Sequence, residues 1–205
     1  MKKNVIGLFL FDGAEELDFV GPFEVFTMVN EVARYLKKDE PNEVVLISET
    51  GADVRGNKGM RIGVDCAIAE ALPLDVFCIP GGNGTRALVE NQPVLDWVAQ
   101  ATADCEWVTS VCTGSFVLAA AGAAKGKRVT THWAAVGELK GLDLGCEVVP
   151  GSRYVQDGNL VTAAGVSAGI DMALWLTGQM YGPRTARQAQ KAMEYDPQPP
   201  YADAS

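Results

Sequence analysis

The chain is expected to fold as an α/β three-layer sandwich with a largely parallel central sheet. Three observations predict this. Short apolar, β-branched runs alternate with helix-like stretches along the chain, the pattern of strand–helix–strand units. The runs 4–11, 44–47 and 76–79 are apolar throughout rather than alternating, as strands covered by helices on both faces are. At 107–116 a β-branched run stops at a cysteine and a small-residue helix pattern begins two residues later.

Taken in order, residues 4–11 form the first strand and Asp12-Gly13 turns the chain. Gly21-Pro22 opens a helix through about Leu36, in which Phe23, Phe26, Val29, Val32, Ala33 and Leu36 recur at helical spacing and proline takes a favoured early position. The stretch 14–20 between them reads as a loop holding three acids, Glu15, Glu16 and Asp18. Residues 44–47 are the second strand, and the glycine-rich stretch 51–64 a small hairpin at one edge. Residues 76–79 are a buried strand ending in Pro80-Gly81-Gly82-Asn83-Gly84, and 85–103 one helix with Leu88, Val89, Leu95, Val98 and Ala99 inward. After 107–111 and its helix come a strand at 128–132, a short helix at 133–139 and a strand at 147–149. Residues 153–156 and 159–162 are strands joined by an Asp157-Gly158 turn. Helices follow at 166–176 and from Pro183 to near Tyr195, and an irregular proline-rich tail at 196–205. One domain is expected over 1–205.

Net charge is −9, from 17 basic and 26 acidic residues, and the basic residues are scattered. That argues against nucleic acid or an anionic membrane as a partner. No apolar run reaches the roughly 18 residues of a transmembrane helix. The N-terminal apolar run is short and is followed by Asp12, Glu15 and Glu16 instead of a small-residue cleavage site, so it reads as a first strand in a cytoplasmic protein. The five cysteines are odd in number and form no CxxC, which favours free thiols. With His132 the only histidine, a histidine-rich metal site is excluded; neither metal nor cofactor is expected.

The stretch Trp107-Val108-Thr109-Ser110-Val111-Cys112-Thr113-Gly114-Ser115 carries the chemistry. Strand, sharp turn and helix with a nucleophilic side chain on the turn is a nucleophile elbow. It aims a helix N-terminus at the sulfur, which lowers a thiol's pKa. The plain alternative is a buried cysteine closing a core strand. In open parallel sheets, ligands bind at the carboxyl ends of the strands. The acidic loop, Pro80-Gly81-Gly82, Cys112 and His132 all fall at such ends, which favours the elbow.

Leu17-Asp18-Phe19-Val20-Gly21-Pro22, Ile79-Pro80-Gly81-Gly82, Thr109 to Ser115, Thr130-Thr131-His132-Trp133 and Ala168-Gly169-Ile170-Asp171 together resemble the ThiJ/PfpI superfamily. That superfamily has the class I glutamine amidotransferase-like, flavodoxin-like fold. Asp18 in Leu-Asp-x-x-Gly-Pro and Thr113 after the cysteine are most similar to its isocyanide hydratase branch. The resemblance implies Cys112 as nucleophile, Asp18 as the acid beside it, and Gly82 with the Thr113 N–H as oxyanion-type or substrate-positioning donors. It further implies a homodimer acting on a small molecule, with isocyanides hydrated to N-formamides. His132 and Val166 are candidates for the pocket wall. Thr113 stands where peptidase-like members have histidine, which weakens a protease reading. A hydrolase or glyoxalase-like enzyme, or a redox-sensing stress protein using the same cysteine, are the alternatives. Asp18 could instead cap a helix, Glu16 is the substitute if the register shifts, and Glu15 and Glu16 are expected to be solvated.

Overall fold

The computed structural model describes residues 2–197. In chain order the strands are β1 (Asn4–Phe9), β2 (Asn42–Ser48), β3 (Val54–Arg55), β4 (Arg61–Ile62), β5 (Cys66–Ala67), β6 (Val76–Ile79), β7 (Trp107–Val111), β8 (Arg128–Val129), β9 (Glu147–Val148), β10 (Tyr154–Asp157) and β11 (Leu160–Ala163). The helices are α1 (Glu16–Tyr35), α2 (Thr85–Leu88), α3 (Gln92–Ala103), α4 (Gly114–Ala120), α5 (Val136–Gly141), α6 (Ala168–Tyr181) and α7 (Pro183–Ala192).

The main sheet has seven strands in the order β10-β11-β7-β6-β1-β2-β5, every pair parallel except the β10–β11 hairpin. Helices α1, α6 and α7 pack against one another in one layer, and α2, α3 and α4 in the other. Both faces of the middle strands are therefore covered, which is why Ile6, Leu8, Phe9, Phe77 and Ile79 lose all contact with solvent. Each such side chain contributes roughly 1.5–3 kcal/mol of burial. The rigid centre of the sheet thus lies directly beneath the strand ends that carry the loops 12–15, 80–84 and 112–113.

Three expectations are corrected, and one strand is new. Helix α1 begins at Glu16 rather than at Gly21-Pro22, so Asp18 sits in its first turn. Glu16 and Asp18 suit the positive end of the helix, and Pro22 lies inside it, where it forgoes the hydrogen bond to the Asp18 carbonyl. Asp18, Gly21 and Pro22 share one helix face. A Cβ on Gly21 would lie 2.8 Å from Ile170 of α6, so this glycine lets the two helices approach closely. The helix expected over 85–103 is two, because Asn91 caps α3 by accepting from the Val94 N–H at 3.3 Å. The strand expected over 128–132 ends at Val129 and pairs with β9 in a separate two-stranded sheet. Its continuation is diverted by hydroxyls, the Thr130 N–H donating to Thr162 Oγ1 at 2.7 Å. The edge strand β5 was not read from the sequence at all. The hairpin at 51–64 is found as β3–β4, and the Asp157-Gly158 turn as the β10–β11 hairpin. Of the proline-rich tail, 198–205 lies outside the described residues.

Candidate active site

Strand β7 ends at Val111, and the backbone of the next residue, Cys112, turns into the left-handed region at φ 56° before α4 begins at Gly114. A non-glycine residue held there costs of order 1–3 kcal/mol and persists only where its surroundings impose it. They do so with hydrogen bonds. The Cys112 N–H donates to the Ala163 carbonyl at 3.0 Å, and its own carbonyl accepts from Thr131 Oγ1 at 2.9 Å and Ser115 Oγ at 3.1 Å. The sulfur, though Cys112 is only 8% exposed, opens onto a cleft of about 250 Å³ that Thr113, His132 and Val166 also line.

Asp18 is buried beneath this cleft. Its carboxyl accepts from the Gly81 N–H at 2.9 Å and the Val166 N–H at 2.8 Å, so it is no helix cap. Burial raises its pKa to about 6, with help from the charge of Glu15; the two N–H donors and a hydrogen bond from the Cys112 thiol hold it from rising further. The thiol is driven up to about 12, first by burial and then by the charge of Asp18, against the opposing pull of the Thr113 N–H and hydroxyl. The expected lowering of the thiol pKa is therefore overturned: at this seven-residue helix the N-terminus offers the sulfur one N–H, and enclosure beside a carboxylate outweighs it. The two groups share one site. The carboxylate has the better donors, so with one proton between them it rests on sulfur.

Thr113 organises the loop opposite. Its Oγ1 accepts from the Gly82 N–H at 3.0 Å and from Thr85 Oγ1 at 3.1 Å. Gly82, expected to offer that N–H as an oxyanion-type donor, therefore has it engaged by a side chain. Gly82 adopts φ 122°, and a Cβ there would fall 2.2 Å from the Gly13 carbonyl oxygen, so only glycine fits the crossing of loops 12–15 and 80–84.

His132 reaches the cleft although it is not on the main sheet, because Thr131 is tied to the Cys112 carbonyl. Val166 lies in the turn before α6 at φ 48°, unusual for a β-branched residue, and presents its N–H to Asp18. The wall facing them is polar. Glu15, Asn57, Asn83 and Arg86 line it, the Asn83 amide donating to Asn57 at 2.7 Å. Arg86 pairs with Glu138 at 2.6 Å and lies over the Phe116 ring at 5.4 Å from its centre. Glu15 and Glu16 are not solvated; the β3–β4 hairpin covers both, Lys58 pairing with Glu15 while its N–H donates to Glu16 at 2.7 Å. The wall residues Asn57, Asn83 and Arg86 were missed, and no local sequence signal marks them. Among the described residues no group of three or more His, Cys, Asp and Glu is placed to hold a metal ion.

Fold and site together define a flavodoxin-like α/β protein with a cysteine on a nucleophile elbow and a buried carboxyl beside it. Residues 4–179 match the DJ-1/PfpI family, and the chain belongs to that family. It is 38% identical to isonitrile hydratase of Pseudomonas putida over 200 residues, 98% of this chain and 82% of that one. It is 30% identical to protein DJ-1alpha of Drosophila melanogaster, covering 93% of this chain and 83% of that one. Among solved structures, a THiJ/PfpI family protein from Pseudomonas syringae superposes with a TM-score of 0.88 at 30% identity, over 100% of this chain and 80% of that one. No helix among the described residues is long and apolar enough to cross a membrane.

Proposed function

We propose that the protein hydrates isocyanides to N-formamides through a covalent intermediate on Cys112. The observation that carries the reading is the buried Asp18 carboxyl, fixed by the Gly81 and Val166 N–H groups beside the elbow cysteine, set beside the likeness to isonitrile hydratase. Asp18 takes the thiol proton as sulfur attacks the terminal isocyanide carbon, and the same proton is then delivered to that carbon. The product is a thioimidate, R–N=CH–S–Cys112. Water adds to its carbon, sulfur leaves with the bonding pair, and the N-formamide is released. One thiol and one carboxyl group serve both halves.

The engaged Gly82 N–H supports this reading over acyl transfer, since an isocyanide develops no oxyanion when sulfur attacks. The protonated thiol likewise disfavours a sensor role, for which a ready thiolate is wanted. Family membership and the exposed apolar side chains Leu17, Val20 and Trp133 support a homodimer. The five unpaired thiols support a reducing, cytoplasmic setting. The test is formamide production from an aryl and an alkyl isocyanide by the wild type and by Cys112→Ala; undiminished turnover in the variant would refute the mechanism.

A further inference from the structure

The thioimidate leaves its nitrogen in need of a hydrogen-bond donor, because negative charge gathers there as water adds to carbon. Three of the backbone N–H groups around the sulfur are taken. Those of Gly81 and Val166 serve Asp18 and that of Gly82 serves Thr113 Oγ1, while that of Thr113 lies beside the sulfur and favours its charged form. The ring of His132 is differently placed. Its Nδ1 accepts from the Ala134 N–H at 3.3 Å, so the proton of the neutral imidazole is held on Nε2, which has no protein partner among the described residues. The Cδ2 atom of the ring, bonded to Nε2, lies near the sulfur across Gly165: a single methyl-sized point on the Gly165 Cα would lie 2.8 Å from Cδ2 of His132 and 3.4 Å from Sγ of Cys112. Gly165 thus keeps open a space that ring edge and sulfur both border, and both residues line the cleft.

We propose that the His132 Nε2–H donates a hydrogen bond to the nitrogen of the thioimidate and so speeds its hydrolysis. The assignment rests on the hydration reading above. Water oxygen bonds to carbon while the C=N π pair moves onto nitrogen; the Asp18 carboxylate takes the water proton and passes it to that nitrogen. A lone pair on the hydroxyl oxygen then closes the C=O bond as the C–S pair returns to sulfur, and the hydroxyl proton goes back to the Cys112–Asp18 pair. His132 keeps its proton throughout, stabilising charge as a fixed donor.

The test is rapid-quench kinetics with an aryl isocyanide on the full chain, read by intact mass. His132→Asn keeps a side-chain acceptor for the Ala134 N–H and removes the Nε2 donor, so a merely structural role survives in it. We expect kcat in that variant to fall about a hundredfold, the first turnover to stay within a few-fold of wild type, and Cys112 to accumulate a mass increment of one substrate. His132→Gln, which can reach with a donor, restores part of the loss; Gly165→Ala, which wedges the ring away from the sulfur, reproduces part of it. A His132→Asn enzyme with near-normal kcat, or with low kcat and no adduct, overturns the assignment. A wild type that forms no formamide overturns the hydration reading and this assignment together, and is told apart because no protein in the series then turns over.

Discussion

Cys78 and Cys112 are two buried thiols at the heart of the same sheet, and they show what makes a cysteine a site. Both are pushed up to about 12, burial being the first cause in each and the charge of Asp18 adding to both. Electrostatics alone does not separate them. Backbone and access do. Cys78 is a regular residue of β6 with no exposed surface, whereas Cys112 is held at φ 56° at the open end of β7, with the buried Asp18 carboxyl beside it and a cleft above it. A raised thiol pKa marks an inert cysteine in the first setting; in the second, the proposed mechanism has the neighbouring carboxylate remove the proton only when an electrophile arrives.

The contrast is sharpest in the two alanine variants. Cys112→Ala should lose about four to six orders of magnitude in isocyanide turnover, as loss of a covalent nucleophile does. Cys78→Ala should keep turnover within twofold and show only a lower melting temperature, so activity that follows Cys78 would break the comparison. Next comes Asp18→Asn, expected to lower kcat/KM about 10²–10⁴-fold. Wild-type kcat/KM should rise with pH through about 6, as the Asp18 carboxylate that must accept the thiol proton forms, and then level off. A profile with no limb near 6 would remove Asp18 as the base.

A smaller effect concerns stability. Asp18 is raised from 3.8 to about 6, so the fold favours its protonated form. The stability this contributes is complete below the ordinary carboxyl value and disappears as pH rises through about 6, amounting to about 3 kcal/mol at most. Denaturant titrations at pH 4.5 and 7.5 should show about two-thirds of that fall, about 2 kcal/mol, in the wild type and a reduced one in Asp18→Asn. The smallest effect is that of Thr113→Val, which leaves the Gly82 N–H without its acceptor and should cost about 1 kcal/mol by the same assay. The Cys112–Asp18 pair would remain in place, so turnover should change less than in Asp18→Asn.

Much of this was legible because its signals are local. A β-branched run stopping at Cys112 with glycine two residues on announces the elbow without any knowledge of the fold, whereas Asp18 as its neighbour came from the resemblance of Leu17 to Pro22 to a family motif. The start of α1 was hidden by Pro22, which looks like a helix opening and lies inside the helix. The engagement of the Gly82 N–H by Thr113 spans 31 residues, and the cover of Glu15 by Lys58 spans 43; neither leaves a trace in local sequence. The thiol pKa was misjudged because helix position can be read from a string of residues, while the depth of burial cannot.

The left-handed backbone at Cys112 has a consequence for anyone altering the protein. Glycine would adopt φ 56° without penalty, so Cys112→Gly relaxes the turn while deleting the sulfur. Variants ranked on heat resistance or soluble yield would therefore drift toward chains that fold well and do nothing. Directed evolution of this scaffold has to screen for chemistry in every round.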